Sequence, residues 1–347
     1  MFKILKQIGY AFLVLLGVVT IVFFLFNKIT SNPTALITGQ QADAKTIANI
    51  KKEYYLDKPV WQQYLLYVND IMPIGYHNID EIKDKNLKGL FVGGYNKVGI
   101  KWPYLRRSFQ TKKDVSSQLA DVFGGTFILA IAAMLIAICI GIPLGILAAI
   151  KKGTWVDNTA IISSVAGISA PSFFMAILLA YIFGYLLAPY TGLSMTGSLY
   201  TYNVNGKHLA LQNLILPAIT LGIRPLAIIT QLTRSSMLNT LQFDFVRTAT
   251  AKGLTQKQVI FKHALPNALN PVITAITGWF AELLAGSFFI EYIFGWKGLG
   301  KITVDALEKQ DFPVVMGSIL FAATIFIVVN MLTDWLYKVI DPRVTAN

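Results

Sequence analysis

The stretch from Val122 to Ile150 contains no charged residue, although Asp121 precedes it and Lys151 follows it. A helix rises about 1.5 Å per residue, so about 20 apolar residues cross the roughly 30 Å hydrocarbon core of a bilayer. This stretch is long enough and predicts a transmembrane helix. Hydrophobic residues make up 54% of the 347-residue chain and charged residues 14%, whereas about a quarter of a typical soluble domain is charged. The composition therefore indicates a polytopic membrane protein.

Five further apolar stretches predict transmembrane helices. They cover residues 8–28, 160–187, 212–233, 271–290 and 314–338. The first is too long for a typical signal-peptide core, and no small-residue cleavage pattern follows Phe26, so we expect it to be retained as a span. The resulting division is a first transmembrane helix at 1–29, an insertion at 30–118 and a five-helix core at 119–347. The fold of the insertion cannot be read from its sequence.

Glycine and proline interrupt two of the predicted spans. The residues concerned are Gly141, Pro143 and Gly145 in the second span and Pro171 in the third. Such residues are tolerated in lipid when neighbouring helices or polar groups satisfy the backbone groups that they free. We therefore expect these helices to pack closely on one another.

The distribution of basic residues predicts the orientation of the spans. The segment 151–158 carries two lysines and the segment 234–270 carries five basic residues, while the segment 188–211 carries only Lys207. The positive-inside rule then places both termini and the two basic segments in the cytoplasm, and residues 30–118 outside. The net charge of +12 is explained by such loops and by anionic lipid headgroups, so nucleic acid is not expected as a partner.

The basic segment 234–270 also shows a helical pattern. Leu241, Phe245, Thr248 and Lys252 recur at helical spacing. Gly253 then predicts the end of this helix, and Thr255 with Gln258 forms a capping box that begins a second one. Pro266 predicts the end of the second helix. A helix, a glycine corner and a second helix are compatible with a solvated loop, a lipid-surface helix or a segment that docks in a partner's groove.

Residues 247–267 resemble the cytoplasmic loop of ABC-importer permeases, whose signature is Glu-Ala-Ala, three residues, Gly, nine residues, Ile, one residue and Leu-Pro. The matching positions here are Arg247, Thr248, Ala249, Gly253, His263, Leu265 and Pro266. Arg in place of Glu and His in place of Ile are typical of the peptide and nickel branch. Residues 126–157, 169–183, 232–238, 291–315 and 330–344 also resemble that branch.

The resemblance implies an all-α integral membrane protein with six transmembrane helices. Its fold would be the type I ABC importer (MetI-like) permease fold, with an extracytoplasmic insertion. The segment 234–270 would couple to a separate ATPase through Arg247, Thr248, Ala249, Lys252 and Gly253, with His263, Leu265 and Pro266 following in the same loop. For Leu265 and Pro266 a plain helix stop is an equal alternative.

The resemblance also implies a set of partners and a location. The partners are a second permease subunit, two ABC ATPase domains and an extracytoplasmic substrate-binding protein, in a bacterial inner membrane. ATP and Mg²⁺ would bind the ATPase subunits, and this chain would bind no cofactor. Di- or oligopeptides are the first expectation for the substrate, and nickel or a metal chelate is the second. The insertion 30–118 is a candidate contact for the binding protein.

Apart from Lys28 and Lys338 at span ends, the predicted spans contain three charged residues, Arg224, Glu282 and Asp334. A central arginine costs about 2.5–3.5 kcal/mol on insertion scales, so such residues usually face a pathway or pair with one another. The sequence leaves both possibilities open for all three.

Two patterns could indicate other chemistry. Residues 295–302 nearly match a phosphate-binding P-loop, but Ile302 replaces the hydroxyl that would ligate Mg²⁺ and no strand-to-helix context surrounds it. His77, His208, His263 and the lone Cys139 show no metal-ligand spacing. An intramembrane hydrolase or a channel is an alternative class, but no catalytic pair or repeated charged ring supports it. We therefore expect no catalytic or metal site.

Overall fold

The structure, a computed structural model, describes residues 2–29, 55–203 and 206–340. The chain forms two compact units, Met1–Val122 with Ile302–Thr324 and Phe123–Lys301 with Ile325–Asn347. The helices are α1 (Phe2–Ile29), α2 (Val60–Ile71), α3 (Ile79–Asp84), α4 (Val115–Ile150), α5 (Trp155–Ser169), α6 (Ser172–Tyr181), α7 (Ala188–Thr191), α8 (Gln212–Thr240), α9 (Asp244–Ala251), α10 (Gln256–Gln258), α11 (Leu265–Ala268), α12 (Asn270–Ala285), α13 (Phe288–Ile293), α14 (Leu299–Glu308) and α15 (Phe312–Ile340). The strands are β1 (Ile74–Asn78), β2 (Gly89–Gly93), β3 (Asn96–Lys101), β4 (Tyr200–Asn203) and β5 (Gly206–Leu209).

Four helices, α1, α4, α8 and α15, are long and apolar enough to cross a bilayer. Two bent pairs add to them: α5 with α6, and the stretch 256–268 with α12. If each bent pair counts as one crossing, the described residues contain the six spans that the sequence predicts. All of these spans are helical, which confirms the predicted helical membrane fold. The strands lie in the segments between the spans.

The predicted span at 160–187 is not one continuous helix. Helix α5 ends at Ser169, α6 begins at Ser172, and their axes differ by 106°. Pro171 explains the break, because proline lacks a backbone N–H and disfavours helical geometry in the residue before it. The predicted span at 271–290 also ends early, at Ala285, because Gly286 has a φ of +117°.

The first unit contains the described part of the insertion; residues 30–54 of that predicted segment lie outside the described residues. Helix α2 lies beside α1, where Thr20 Oγ1 and Tyr64 OH are 2.7 Å apart. An antiparallel sheet follows in the order β1-β3-β2. Its two cross-strand rows are Ile74–Ile100–Leu90 and Tyr76–Val98–Val92. All six side chains are exposed, and we term this surface the open sheet face.

The insertion also contains a buried carboxylate, that of Asp70, which is surrounded by cationic side chains. Asp70 is 1% exposed, and its carboxylate lies 2.5 Å from Lys85 Nζ and 3.5 Å from Arg106 Nε. The Lys101 ammonium donates to the backbone oxygen of Asp70 at 2.5 Å. Burial lowers the pKa of Lys101 to about 8. The insertion therefore has a polar core of its own.

The second unit is built on the close approach of α4 and α8. A Cβ added at Gly141 would lie 3.0 Å from the Leu226 oxygen, and one at Gly145 would lie 2.6 Å from the Thr230 oxygen. On α8, a Cβ at Gly222 would lie 2.9 Å from the Ala133 oxygen. Small residues at these positions let the two backbones approach, as is common between membrane helices. The expectation of close helix packing is therefore confirmed for the glycines of α4.

The glycine-rich segment 295–302 surrounds an internal carboxylate. Glu291 is fully buried and accepts hydrogen bonds from Gly300 N at 2.7 Å and Thr126 Oγ1 at 2.9 Å. A Cβ at Gly298 would lie 2.3 Å from Glu291 Oε2. The backbone N–H groups at the start of α14 thus bind a carboxylate of the same chain, in the way that helix N-termini bind anions.

Replacing Gly145 by alanine tests the α4–α8 contact. Gly145→Ala places a methyl group against the Thr230 oxygen, and we expect a loss of about 1–3 kcal/mol from overpacking. Gly124→Ala is the matched control on the same helix, because a Cβ there meets nothing within 4 Å. The melting temperature of the purified assembly in detergent should fall for Gly145→Ala and hold or rise for Gly124→Ala. Equal melting temperatures would contradict the contact.

Replacing Glu291 by glutamine tests the carboxylate cradle. The amide turns one acceptor oxygen into a donor that faces other donors, and we expect a loss of about 1–3 kcal/mol. Burial raises the pKa of Glu291 above its usual 4.5. Between 4.5 and the raised value the native chain holds a proton that the unfolded chain has lost, so native stability falls as pH rises through that window.

Melting temperature measured against pH checks both effects, with the exposed Glu308 as the site of a control substitution, Glu308→Gln. The slope through the window should disappear in Glu291→Gln and persist in Glu308→Gln. A slope that survives in Glu291→Gln would assign the titration to another group.

Candidate functional site

The segment 243–268, here termed the elbow, begins three residues after the end of α8 at Thr240. Helix α9 is capped at Lys252, and Gly253 adopts a φ of +78°, which is the left-handed geometry that glycine favours after a helix. Thr255 then accepts from the Gln258 N–H while Gln258 Oε1 accepts from Thr255 N at 3.0 Å. The predicted glycine corner and capping box are both confirmed. The first helix is shorter than the sequence pattern indicated, because α8 continues to Thr240 and α9 begins at Asp244.

Pro266 does not end the second helix of the elbow, so the predicted stop there is wrong. Residues Val259–Ala264 form a π-helical turn, and Leu265–Ala268 continue as α11. A proline in the first turn of a helix removes no hydrogen bond, since the N–H groups there have no partner in that helix. The wider π turn before it leads into this first-turn position. The chain changes direction only after Ala268, by 52° into α12.

The inner side of the elbow is apolar and packs on the ends of α4 and α8. The buried cluster consists of Ile146, Ala149, Met237, Val246, Ala249, Val259, Ile260, Ala264 and Ala268. Ala249, a predicted contact for a partner, is therefore a member of this internal cluster and is 5% exposed. Leu265 packs against the same cluster. The elbow is consequently packed on the ends of α4 and α8 through one shared apolar cluster.

The outer side of the elbow is basic and aromatic. Arg247, Thr248, Lys252 and Gly253 are exposed, as the sequence predicts for contact residues, and Pro266 is exposed with them. His263 is half-buried, and its backbone oxygen accepts from Asn267. The ion pair between Arg247 and Asp244 is 3.6 Å long and highly exposed, so it contributes little stability.

Three phenylalanines lie on the outer side of the elbow, and the sequence pattern included Phe245 but not the other two. They are Phe243, Phe245 and Phe261, with exposed fractions of 55%, 42% and 51%. The rings of Phe243 and Phe245 lie 5.9 Å apart. Exposed aromatic rings next to arginine and lysine are typical of residues that dominate a binding interface. Phe245 belongs to the helical pattern of the sequence, but it lies outside the buried cluster, and the pattern alone did not show that it is exposed.

A partly buried ion pair lies at the base of the elbow, and it was not identified from the sequence. Arg234, near the end of α8, forms a two-point contact with Asp157, in which Nη2 donates to Oδ2 at 2.8 Å and Nε donates to Oδ1. Asp157 Oδ2 also accepts from Gly153 N at 2.9 Å. The pair joins the 151–158 turn to the end of α8. Loss of Arg234 would leave the buried Asp157 carboxylate without its cation, which is destabilising.

Arg224 and Glu282 lie on different helices but line the same cavity. Its volume is about 210 Å³, and its walls come from α8, α12, α13 and the start of α6. Both side chains are exposed, and neither has an ion-pair or hydrogen-bond partner among the described residues. The sequence thus identified two charges that the structure brings together. The side chain of Asp334, on α15, lies outside what the structure describes.

The three histidines and the cysteine considered as metal ligands lie in different parts of the structure. His77 is buried in the insertion, where Nδ1 lies 3.4 Å from Glu81; His208 is on β5, His263 is in the elbow, and Cys139 is on the exposed side of α4. Within the described ranges, no group of three or more His, Cys, Asp or Glu side chains is placed to hold a metal ion.

Two family models match the chain. Residues 141–346 match the binding-protein-dependent transport system inner membrane component, and residues 1–130 match the N-terminal part of such membrane components. The solved chain of an inward-facing MetNI methionine ABC transporter superposes with a TM-score of 0.51 at 17% identity, covering 65% of this chain and 97% of that one. This similarity shows the fold alone.

Curated relatives match over almost the whole chain. The dipeptide transport system permease protein DppB of Escherichia coli K12 is 35% identical, with 98% of both chains covered. DppB of Alkalihalophilus pseudofirmus is 35% identical with 95% of both covered, and the glutathione permease GsiC of Salmonella choleraesuis is 32% identical with 98% of both covered. The chain belongs to the family of binding-protein-dependent transport system inner membrane components, the permease subunits of ABC importers.

Proposed function

We propose that this permease imports di- or short oligopeptides and is driven by ATP hydrolysis on separate subunits. The relatives that match the full length are named as dipeptide, di/tripeptide and glutathione permeases, which supports a short peptide as the substrate. The main support for coupling between the ATPases and this permease is the structure of the elbow. Its inner side is packed on the chain, and its outer side has exposed phenylalanine, arginine and lysine side chains.

The outer side of the elbow docks in a groove on an ATPase subunit. Phe243 and Phe245 supply the apolar anchors, while Arg247, Thr248 and Lys252 supply polar contacts around them. Gly253 sets the angle between the two helical parts, and Ala249 acts by holding α9 on the internal cluster. His263, Leu265 and Pro266 shape the second arm. A short amphipathic helix that fits a groove is a common mode of recognition.

Movement of the ATPases reaches the spans through the base of the elbow. The elbow shares its buried cluster with Met237 of α8 and Ile146 of α4, and Arg234 ties α8 to the 151–158 turn. A force on the elbow therefore acts on both helices at once. Such packed elements switch between discrete arrangements and do not bend continuously.

ATP and Mg²⁺ bind the partner ATPase domains and no cofactor binds this chain. The segment that nearly matches a P-loop supports this assignment, because its backbone N–H groups are occupied by Glu291. The assembly comprises this chain, a second permease subunit, two ATPase domains and a substrate-binding protein. The elbow and both termini face the cytoplasm, and the insertion faces the binding protein on the other side of the inner membrane.

Phe245→Ala combined with Arg247→Glu tests the docking of the elbow. Both side chains are exposed, so the stability of the chain itself should change by less than about 0.5 kcal/mol. Loss of an aromatic anchor and reversal of a charge should weaken ATPase binding by at least about 2 kcal/mol, or some 30-fold. Co-purification of the ATPase with a tagged permease measures this.

Tyr190→Ala is the matched control, since Tyr190 is an aromatic side chain with an exposed fraction of 88% outside the elbow. It should retain the ATPase fully. Retention of the ATPase by the elbow double variant would remove the basis for the coupling role.

Growth on peptides tests the substrate class. In an amino-acid auxotroph without other peptide uptake systems, deletion of this chain should abolish growth on a dipeptide that supplies the amino acid. Growth on the free amino acid should be unchanged, because it does not use this permease. Uptake of labelled nickel should also be unchanged. Loss of nickel uptake with normal growth on dipeptide would assign the permease to metal import.

A further inference from the structure

The cavity between α8 and α12 contains one positive and one negative side chain that do not contact each other. Arg224 comes from α8, and Glu282 comes from the last turn of α12. Both helices belong to apolar segments able to span a bilayer. A charge in such a segment is expensive unless it is paired or lines a polar space. Here the two charges line one space without forming an ion pair.

The backbone around both charges is fixed. Pro225, the residue after Arg224, is buried. Gly222, two residues before Arg224, packs against Ala133 of α4. Helix α12 ends three residues after Glu282, where Gly286 turns the chain into α13. Most of the cavity wall therefore comes from helices, with Gly286 and Ser287 in the short connection between α12 and α13, and a site built on helices suits a ligand.

The rest of the lining is apolar and aromatic, with two hydroxyl groups. Trp279, Phe288 and Phe289 contribute rings, and Ser172 and Ser287 contribute the hydroxyls. The volume of about 210 Å³ is below the roughly 300–1,000 Å³ of sites for drug-sized molecules. The cavity therefore suits a small ligand with an apolar body and both charges.

We propose that this cavity binds a short zwitterionic peptide, with Arg224 holding the terminal carboxylate and Glu282 holding the terminal ammonium. This inference rests on the proposed function and adds a recognition site within the permease itself. A guanidinium binds a carboxylate through two parallel hydrogen bonds, which are among the stronger contacts in proteins. The aromatic walls accept side chains of different shape, so the site reads the two termini and tolerates variation between them.

A metal cation is a poor match for the same space. Glu282 would be its one charged ligand in the lining, and Arg224 would repel it. Transition-metal sites require several imidazole, thiolate or carboxylate ligands. The charge pattern of the cavity thus favours a ligand that carries both signs.

The test crosses two permease variants with three peptides. The complete assembly, with its binding protein at saturating concentration, is placed in proteoliposomes, and ATP-dependent uptake of alanyl-alanine is compared with its C-terminal amide and its N-acetyl form. Wild-type assemblies should favour the free dipeptide over each analogue. Arg224→Gln should reduce the preference for the free carboxylate by about tenfold and leave the preference for the free ammonium unchanged. Glu282→Gln should give the reverse pattern.

Each variant serves as the control for the other, and Arg224→Lys should recover part of the carboxylate preference. A structural role for the two charges predicts a different result, in which uptake of all three peptides falls by the same factor and both preferences survive. That result would overturn the inference. ATPase activity stimulated by the loaded binding protein reports whether each variant assembly is intact.

The outcomes separate this inference from the proposed function. If the wild-type assembly takes up peptide but neither variant changes a preference, the site is wrong and peptide import stands. If the wild-type assembly takes up none of the three peptides, peptide import fails, and the inference fails with it.

Discussion

The approach of α4 and α8 underlies the second unit of this permease. Between membrane helices there is little hydrophobic driving force, because lipid tails are as apolar as the side chains, so close packing must hold the helices together. Gly141 and Gly145 on one helix and Gly222 on the other allow the two backbones to come near. Larger side chains at these positions would separate α4 from α8 and leave the buried cluster beneath the elbow without one of its two supports.

Helix α8 connects the features that bear on transport. Its middle carries Arg224 beside a cavity, and Arg234 near its end joins Asp157. Met237, one turn later, is fully buried in the cluster beneath the elbow. Helix α8 runs from Gln212 to Thr240, so one element links the wall of the cavity to the cluster beneath the elbow. In the proposed mechanism, one helix both receives force at the elbow and presents a charge to the ligand.

Local signals in the sequence predicted local structure well. Gly253 and the Thr255–Gln258 capping box were identified because such motifs depend on neighbouring residues alone. Pro266 misled the prediction because proline is read as a helix stop, whereas its first-turn position after a π turn is compatible with a helix. Contacts over long separations could not be read: Glu291 and Thr126 are 165 residues apart. The polar core around Asp70 escaped prediction for the same reason.

The open sheet face has a consequence for how the protein is made. Two rows of three large apolar side chains stand on a surface outside the candidate spans, with Leu90 and Val92 each about 80% exposed. Patches of this kind promote self-association unless another surface covers them. A newly synthesised copy therefore carries an apolar patch on the face of this sheet until another surface covers it. Copies whose sheet face stays uncovered are expected to self-associate, so coverage of this face matters from the moment the chain folds.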